Sequence, residues 1–385
     1  MTSVVDLVAE ADRAAADGDL KRAEALLVEA AKVQGDDAGL LLKLAAIQRG
    51  TGQPKIALDS VHRALAVDPR DFTALLMRAS LLDRLELEEA PEAWAHALAQ
   101  APSGELPPGL AQVVAQGQHR VTAWLDDRDR KLQTAMSSAY ASADEDTCHR
   151  LDRFRSNILR RTRAYHSEPT HFHYPGLAEH EFHPRRSFPW LAKLEAATDR
   201  IVAEFQAVMA AERSELVPYI QYSDHQPLDQ WKALNRSRDW TAIHLLQNGD
   251  RVEANAQHCP TTLELLESCD QPRVRGASPN AMFSLLAPNT AIPAHVGVNN
   301  ARLVCHLPLI VPDGCWFRVG GETRYWRKGE AFVFDDTIEH EAMNPSDELR
   351  IVLIFDVWRP DLAPVERKAI ASAIEAETPG AEAGL

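Results

Sequence analysis

The sequence of 385 residues lacks long apolar stretches and a basic N-terminal segment. No uninterrupted apolar run approaches the roughly 18 residues that a transmembrane helix needs. The first residues, MTSVVDLVAEADRAAADGD, are acidic, whereas a secretory signal peptide begins with a basic region. We therefore expect a cytoplasmic chain that does not insert into a membrane.

Basic residues and cysteines are also scarce. The chain has 41 lysines and arginines against 56 acidic residues, which gives a net charge of −15. Phosphate backbones repel a protein of this charge at long range, so we expect no nucleic-acid partner. The five cysteines are an odd number without a C-x-x-C pair, which favours reduced thiols over a disulfide framework.

Core-forming residues, in contrast, are plentiful, and 45% of the side chains are apolar. This composition predicts two or three globular domains. The first hundred residues contain an internal repeat of 34 positions. Small residues recur at its equivalent positions, and a third copy is slipped by one residue: Gly18, Ala23, Ala30; Gly52, Ala57, Ala64; and Ala90, Ala97, Pro102.

Small residues at such a spacing let two antiparallel helices approach closely, and the Asp68-Pro69 pair ends one unit. The pattern resembles tetratricopeptide repeats, although the Trp and Tyr positions of their consensus are mostly missing. The resemblance implies a concave face that recruits a peptide or protein substrate. The residues alone leave a purely structural spacer open as an equal alternative.

The pattern stays helical over 104–163 and changes after Glu168, where four prolines forbid long helices. One more helix is predicted from about Leu191 to Glu212. From Trp240 onward, short apolar runs rich in β-branched and aromatic residues alternate with turn clusters. Seven or eight strands without intervening helices favour a sandwich, jelly roll or barrel.

These patterns predict a multidomain α+β fold, with all-α repeats followed by a β-rich domain. We place the helical repeats at 1–103, a helical connection at 104–163, the β-rich domain at 164–370 and a flexible tail at 371–385.

Three residues of the strand region suggest metal chemistry. His295 and His340 are 45 residues apart, and imidazoles on neighbouring strands can converge on one divalent metal. Arg350 follows on the next strand, where a planar guanidinium can bind a carboxylate through two parallel hydrogen bonds. A 2-oxoglutarate oxygenase must assemble a metal, oxygen and a dicarboxylate, but His pairs of this spacing also arise by chance.

The segment from PNTAIPAHVGVNN to LRIVLIFDVWRPDL, with WTAIHLLQNG upstream, resembles the catalytic core of the aspartyl/asparaginyl β-hydroxylases. The likeness covers roughly 170–370. It implies a double-stranded β-helix of the jelly-roll or cupin type. It also implies an enzyme that uses Fe(II), 2-oxoglutarate and O2 to hydroxylate an unactivated carbon, the β-carbon of an Asp- or Asn-type residue in a peptide or protein.

The resemblance implies a role for each matching residue. His295 and His340 bind Fe(II), and Arg350 and Ser284 hold the tail of 2-oxoglutarate. Trp240 and His306 lie further out in the same pocket, although a core histidine remains an equal alternative for His306. These residues are the candidate catalytic and cosubstrate-binding set: Ser284, Trp240, His295, His306, His340 and Arg350.

One departure from most related oxygenases concerns the metal. Gly297 stands where the usual motif has an Asp or Glu two residues after the first histidine, so no carboxylate completes a facial triad. We infer that water fills this position. Asp335 and Asp336 could substitute as ligands, but we favour an interpretation in which they shape the turn and orient His340.

Two further departures concern the substrate. The family's arginine nine residues after the first histidine is Val304, and its lysine two residues before the serine is Met282. Arg302 lies on the same face of the same strand and could replace the lost cation. Less positive charge makes an acidic substrate side chain doubtful. A lipid acyl-chain hydroxylase of the same family and a non-catalytic repeat scaffold remain alternatives.

A cluster of histidines precedes the strands. On an extended segment, His171 and His173 would share one face, which raises a second metal site as a hypothesis. Because the family resemblance implies no metal there, we expect this stretch to line the substrate entrance instead.

Overall fold

A computed structural model describes residues 3–211, 217–221, 231–232 and 234–377. The chain divides into two compact units, Met1–Leu159 and Arg160–Leu385. Within the described residues, no helix has both the length and the apolar character required to cross a membrane.

The first unit is entirely helical. Its helices are α1 (Val4–Ala16), α2 (Leu20–Gln34), α3 (Ala38–Gly50), α4 (Pro54–Val67), α5 (Phe72–Arg84), α6 (Ala90–Leu98), α7 (Pro108–Ala135), α8 (Ser137–Ser142) and α9 (Glu145–Ile158). Helices α1 to α6 form three successive hairpins, and α7 packs against α6.

The hairpins follow the repeat that the sequence predicts. Their first helices begin at Val4, Ala38 and Phe72, 34 residues apart. The repeated alanines at positions 23, 30, 57 and 64 are fully buried at the helix contacts. Gly18 and Gly52 adopt φ values of 83° and 80° in the hairpin turns, where a left-handed backbone favours glycine.

The third hairpin differs at its turn. The position equivalent to Gly18 is occupied by Glu86, whose φ is 56°. A side chain in this conformation carries a steric cost that glycine avoids. The third copy is therefore weak in the sequence even though Ala90 and Ala97 are buried as in the other two.

The second unit combines two antiparallel sheets with helices. Its helices are a 3-10 turn (Arg185–Ser187), α10 (Leu191–Ala196), α11 (Thr198–Ala210), α12 (Glu253–Ala256), α13 (Pro260–Glu267) and α14 (Pro364–Glu377). Its strands are β1 (Val217–Pro218), β2 (Trp240–Gln247), β3 (Asp250–Arg251), β4 (Ala281–Leu286), β5 (Thr290–His295), β6 (Arg302–Ile310), β7 (Trp316–Val319), β8 (Glu322–Tyr325), β9 (Phe332–Phe334), β10 (His340–Asn344) and β11 (Arg350–Trp358).

The strands form a major and a minor sheet. The major sheet has the order β1-β2-β4-β11-β6-β9, with β3 paired to β2, and the minor sheet has the order β5-β10-β7-β8. One face of the major sheet packs on α10, α11 and α13 through a large apolar cluster. A second cluster joins side chains of both sheets and includes Met282, Val304 and Phe317. The site described below lies within this second cluster.

The architecture confirms an all-helical region followed by a β-rich one. The helix predicted from Leu191 is divided at Ala197 into α10 and α11. Helix α14 continues to Glu377, beyond the predicted start of the flexible tail at 371, because Ile374 is buried against the second unit. Residues 378–385, and the predicted helix end at Glu212, lie outside the described part of the chain.

Candidate active site

The two candidate metal ligands face each other across one pair of strands. Strands β5 and β10 are antiparallel, and His295 is directly opposite His340 in their register. The imidazole centroids are 3.9 Å apart. Residues 45 positions apart in the sequence are thus side by side, as the sequence predicts for neighbouring strands.

Each of the two imidazoles is held in place through its own Nδ1 atom. The Nδ1 of His295 lies 2.7 Å from the carbonyl of Pro293, and the Nδ1 of His340 lies 3.0 Å from the carbonyl of Ile338. Burial lowers the pKa of His340 to about 4 and that of His295 well below its ordinary value. Each ring is therefore neutral, and an Nδ1 proton donated to a carbonyl leaves Nε2 as a lone-pair donor.

Arg350 begins β11 and is 1% exposed. Its guanidinium stacks on the ring of Trp326 at 4.5 Å, while Nε and Nη2 are buried without a hydrogen-bond partner. Burial lowers the pKa of Arg350 to about 9, so the group is still charged at neutral pH. A buried, charged group with two unused donors is costly unless an anion accepts from it.

Ser284 and Trp240 lie on the adjacent strands β4 and β2. The indole Nε1 of Trp240 donates to Ser284 Oγ at 3.0 Å, and both side chains are buried. His306, on β6, is buried among aromatic rings, its Nδ1 has no partner, and burial holds its pKa well below the ordinary value.

All six predicted site residues line one cavity of about 120 Å³. These residues are Trp240, Ser284, His295, His306, His340 and Arg350. They come from strands of both sheets, so the cavity exists because the two sheets face each other.

A carboxylate occupies the space beside Gly297. A Cβ built on Gly297 would lie 2.1 Å from Asp336 Oδ2, which is far too close for any side chain. The backbone N–H of Gly297 donates to the Asp336 carbonyl at 2.7 Å. Asp336 Oδ1 is buried and has no hydrogen-bond partner, and Asp336 lines the cavity. Glycine at 297 therefore makes room for the Asp336 carboxylate.

The neighbouring aspartate performs a different task. Asp335 Oδ1 accepts from the backbone N–H of Thr337 at 3.0 Å, and Oδ2 pairs with Arg359 at 2.8 Å. The Asp335–Arg359 pair is completely buried. It fixes the turn that leads into β10 and hence into His340.

Arg302 forms an internal ion pair with Asp336. Its Nη2 lies 3.0 Å from Asp336 Oδ2, and both side chains are buried. Nη1 of Arg302 is buried without a partner, and the residue borders a second, smaller cavity beside the first. Val304, in contrast, lines the main cavity, and Met282 packs in the apolar cluster behind it.

The histidine-rich segment runs along the loop that follows β5. The backbone N–H groups of His171 and Phe172 donate to the Val298 carbonyl, and Thr170 lines the main cavity. His171 borders the smaller cavity instead. Among residues 3–211, 217–221, 231–232 and 234–377, no group of three or more His, Cys, Asp or Glu side chains could hold a metal ion.

Several aromatic residues of the cavity were not among the sequence-based candidates. Tyr219 stacks on Trp240 with centroids 3.8 Å apart, and Trp231 lies 4.5 Å from the His295 ring. Trp326 and Phe317 stack on the opposite side. Tyr219 and Trp231 come from segments without strand periodicity, so no pattern in the sequence distinguishes them.

Comparison with known proteins relates the sequence of the second unit to a family. The sequence model of the aspartyl/asparaginyl β-hydroxylases matches residues 195–360. The ornithine lipid ester-linked acyl 2-hydroxylase of Rhizobium tropici is 32% identical over 201 residues, which cover 51% of this chain and 67% of that protein. The chain belongs to the aspartyl/asparaginyl β-hydroxylase family.

Two human family members are also similar. Aspartyl/asparaginyl beta-hydroxylase is 30% identical over 184 residues, which are 47% of this chain and 24% of that protein. Aspartate beta-hydroxylase domain-containing protein 2 is 33% identical over 181 residues, or 46% of each chain. The present chain thus spans about a quarter of the length of the first human protein and about half of the length of the second.

Solved structures that match part of the present chain include helical proteins. PcrH of Pseudomonas aeruginosa is 19% identical, with a TM-score of 0.28, and the match covers 31% of this chain and 89% of that one. The Sgt2 TPR domain of Aspergillus fumigatus is 20% identical, with a TM-score of 0.27, and covers 37% and 87%.

Proposed function

We propose that this chain is an Fe(II)- and 2-oxoglutarate-dependent dioxygenase that hydroxylates an unactivated carbon of an Asp- or Asn-type residue in a peptide or protein. The proposal is carried by one observation. Two neutral imidazoles and a buried guanidinium with unused donors line the same cavity between two antiparallel sheets. This sheet arrangement also supports a double-stranded β-helix.

The donor set fits Fe(II). His295 and His340 would bind the ion through Nε2, because their Nδ1 atoms are engaged with backbone carbonyls. Neutral imidazole is a suitable ligand for this metal, and the carbonyl contacts fix the tautomer and ring orientation. Burial keeps both rings unprotonated at neutral pH, so no proton has to leave before the metal binds.

The third protein position would be filled by water. Gly297 supplies no ligand, and the Asp336 carboxylate occupies the adjacent space. The Oδ1 of Asp336 is an unused buried acceptor in the same cavity, and it would accept a hydrogen bond from this water. The nearby positive charge of Arg302 favours the ionised form of that carboxylate, although burial raises its pKa.

The opposite wall fits a dicarboxylate. The free Nε and Nη2 donors of Arg350 can bind the distal carboxylate of 2-oxoglutarate side by side, as planar guanidinium groups do. The Ser284 hydroxyl accepts from Trp240 and keeps its own proton to donate. The anion would offset the cost of burying a charged arginine.

When bound, Fe(II) with 2-oxoglutarate supplies the oxidative chemistry: O2 is consumed, succinate and carbon dioxide form, and one oxygen atom enters a substrate C–H bond. The chain's own residues bind, orient and exclude water. Aromatic rings of Trp231, Phe317 and Trp326 line the cavity, and they keep bulk solvent from the reacting carbon.

The cavity favours a neutral substrate group over a carboxylate. Among the described lining residues, Arg350 is the sole arginine or lysine, and it is assigned to the cosubstrate. Val304 presents an apolar wall, and Arg302 is already neutralised by Asp336. We therefore favour a carboxamide of the Asn type.

A lipid acyl chain is the second candidate, supported by these apolar walls and by the relative from Rhizobium tropici, which is named as an acyl hydroxylase. A non-catalytic scaffold is disfavoured, because it has no use for an unpaired buried Arg350. Substrate recruitment by the helical repeats and a cytoplasmic location stay predictions. Five free cysteines support a reducing compartment.

Anaerobic titration of the full-length chain with Fe(II) and 2-oxoglutarate tests the proposal. We expect the visible charge-transfer band of the chelate in the wild type and its loss in His340→Ala. A wild-type protein that produces no band would contradict the assignment.

Arginine variants test whether 2-oxoglutarate binding can be lost without loss of metal binding. Arg350→Ala should raise the 2-oxoglutarate requirement by about 10-fold or more while Mn(II) binding stays nearly intact, because the arginine binds the dicarboxylate alone. Arg327→Ala, a highly exposed arginine of the same unit, is the matched control and should change neither quantity. Loss of Mn(II) binding in Arg350→Ala would show that its role is structural.

A further inference from the structure

The indole of Trp231 lies against one of the two proposed iron ligands. Its ring centroid is 4.5 Å from that of His295, whereas the centroid of Trp240 is 6.4 Å away. Trp231 lines the main cavity and is half-buried, so one side of the ring meets the space in which substrate would bind.

Backbone contacts hold Trp231 in this place. Its carbonyl accepts from the N–H of Asn235 at 2.8 Å and from that of Leu234 at 3.0 Å. The N–H of Arg236 donates to the Ile220 carbonyl at 2.8 Å, which ties this turn to the segment beside β2. These bonds hold the backbone of Trp231 beside the segment that carries Ile220.

We propose that Trp231 is an oxidative modification site: in the absence of substrate, its indole receives the oxygen atom that the enzyme would otherwise transfer. The inference rests on the proposed function. The balanced reaction is indole C–H plus O2 plus 2-oxoglutarate, giving indole C–OH, succinate and carbon dioxide. The keto acid loses its carboxyl group as carbon dioxide, one oxygen atom enters succinate, and the other is inserted into the ring C–H bond.

Neighbouring rings are less suited to this reaction. Trp240 is farther from His295, and its Nε1 is bound to Ser284. Trp326 stacks on Arg350 and faces His306 at 6.0 Å, on the cosubstrate side of the cavity. Phe334 lies 5.4 Å from the His340 ring, but a phenyl ring is harder to oxidise than an indole.

Mass spectrometry tests the modification directly. The full-length chain is incubated with Fe(II), 2-oxoglutarate, catalase and isotopically heavy O2, without substrate, and is then digested with trypsin. We expect one heavy oxygen atom in the peptide 214–232, with fragment ions assigning it to Trp231. The peptides that contain Trp240 and Trp326 are internal controls and should stay unmodified. Catalase removes peroxide, and the isotope distinguishes oxygen taken up during the incubation from oxygen of water and from oxidation during handling.

Two variants sharpen the result. His340→Ala should lose the incorporated oxygen, because the reaction needs the metal. Trp231→Phe should lose indole oxidation while the protein remains folded, since the substitution keeps an aromatic ring.

A second readout needs no turnover. Anaerobic titration with Co(II) alone should quench tryptophan fluorescence, and Trp231→Phe should remove most of that quenching. Trp124→Phe, in the first unit, is the matched control and should leave the quenching unchanged. Equal quenching in the wild type and Trp231→Phe would overturn the inference, because the indole would then not lie at the metal.

The outcomes distinguish the inference from the proposed function. Succinate formation without heavy oxygen on Trp231, or with oxygen on another residue such as Tyr219, would overturn the inference and leave the dioxygenase intact. Absence of both succinate and the charge-transfer band would overturn the proposed function and the inference with it.

Discussion

The two described units of the chain differ in the kind of polar side chain that they bury. In the described part of the first unit, the buried polar side chains are Gln48 and Ser60, which bond to each other at 2.7 Å. The second unit buries full charges, several of them around the cavity: Arg302, Asp335, Asp336, Arg350, Asp356 and Arg359. Arg302, Asp336 and Arg350 each keep at least one buried polar atom without a partner.

This difference indicates that the first unit is built for stable packing, whereas the second unit is built around a ligand site. The first unit is stabilised by small residues at helix contacts, where apolar burial is favourable. An unpartnered buried charge costs stability, so its presence in the second unit indicates a site that a ligand completes. The comparison predicts that equivalent substitutions have unequal effects in the two units.

The largest effect should come from the buried ion pair of the second unit. Asp335→Ala leaves the Arg359 guanidinium buried without its main partner, and we expect a loss of about 3–5 kcal/mol in the free energy of unfolding. Urea denaturation of the full-length chain measures the loss, and hydrogen exchange assigns it to the second unit.

A matched control lies on the same arginine. Asp361 pairs with Arg359 at 3.3 Å but is partly exposed, so Asp361→Ala should cost less than about 1 kcal/mol. Equal costs for the two variants would mean that burial does not determine the strength of this pair.

The pH dependence of the second unit should reveal a buried neutral histidine. Burial lowers the pKa of His183 to about 3 from an ordinary value of 6.5. Below pH 6.5 His183 takes up a proton in the unfolded chain but stays neutral in the folded chain. The free energy of unfolding therefore falls as the pH falls. We expect a loss of about 3 kcal/mol from this residue between roughly pH 6.5 and 4, measured by urea denaturation.

The His183→Gln variant isolates this contribution. It should reduce the slope in that pH range by the share of this one residue, because glutamine does not titrate while other buried histidines, such as His295, His306 and His340, still do. Comparison with a variant is necessary because burial raises the pKa of Asp356, which stabilises the folded state as the pH falls and so opposes the histidine. A wild type and variant with the same slope would contradict the assignment to His183.

Glycine substitutions should have opposite signs in the two units. Gly297→Ala would place a Cβ 2.1 Å from Asp336 Oδ2, and we expect a loss of about 1–3 kcal/mol together with weaker Mn(II) binding. Gly39→Ala, at an exposed position of helix α3, meets no atom nearer than 3.5 Å and should stabilise by about 0.5 kcal/mol. Urea denaturation and Mn(II) titration measure both quantities.

The sequence predicts features whose physical cause is local. Gly18 and Gly52 mark the hairpin turns because only a left-handed backbone closes them, and apolar runs identify the long strands. Strands β5 and β10, which carry His295 and His340, are short and partly exposed. Their histidines therefore had to be recognised by family resemblance, because no apolar pattern identifies them.

Features that arise from packing between distant segments could not be predicted. The fit of the Asp336 carboxylate beside Gly297 depends on the pairing of β5 with β10, and the fold alone determines that distance. The ion pair of Arg302 with Asp336 has the same origin, and it removes a cation that the sequence suggested for substrate binding. Trp231 reaches His295 from a turn whose residues show no periodicity.

The smallest effect should come from the exposed ion pairs of the first unit. Lys43 Nζ lies 2.7 Å from Asp12 Oδ2, and both side chains are about half exposed. In water the attraction is weak and holding two flexible side chains costs entropy, so Asp12→Ala should cost less than about 1 kcal/mol. Added salt should reduce this small cost further while leaving the Asp335→Ala cost nearly unchanged, because salt screens exposed charges far more than buried ones.

Urea denaturation at low and high salt measures both variants. A large, salt-independent cost for Asp12→Ala would mean that the first unit also depends on specific charges and would remove the contrast between the two units.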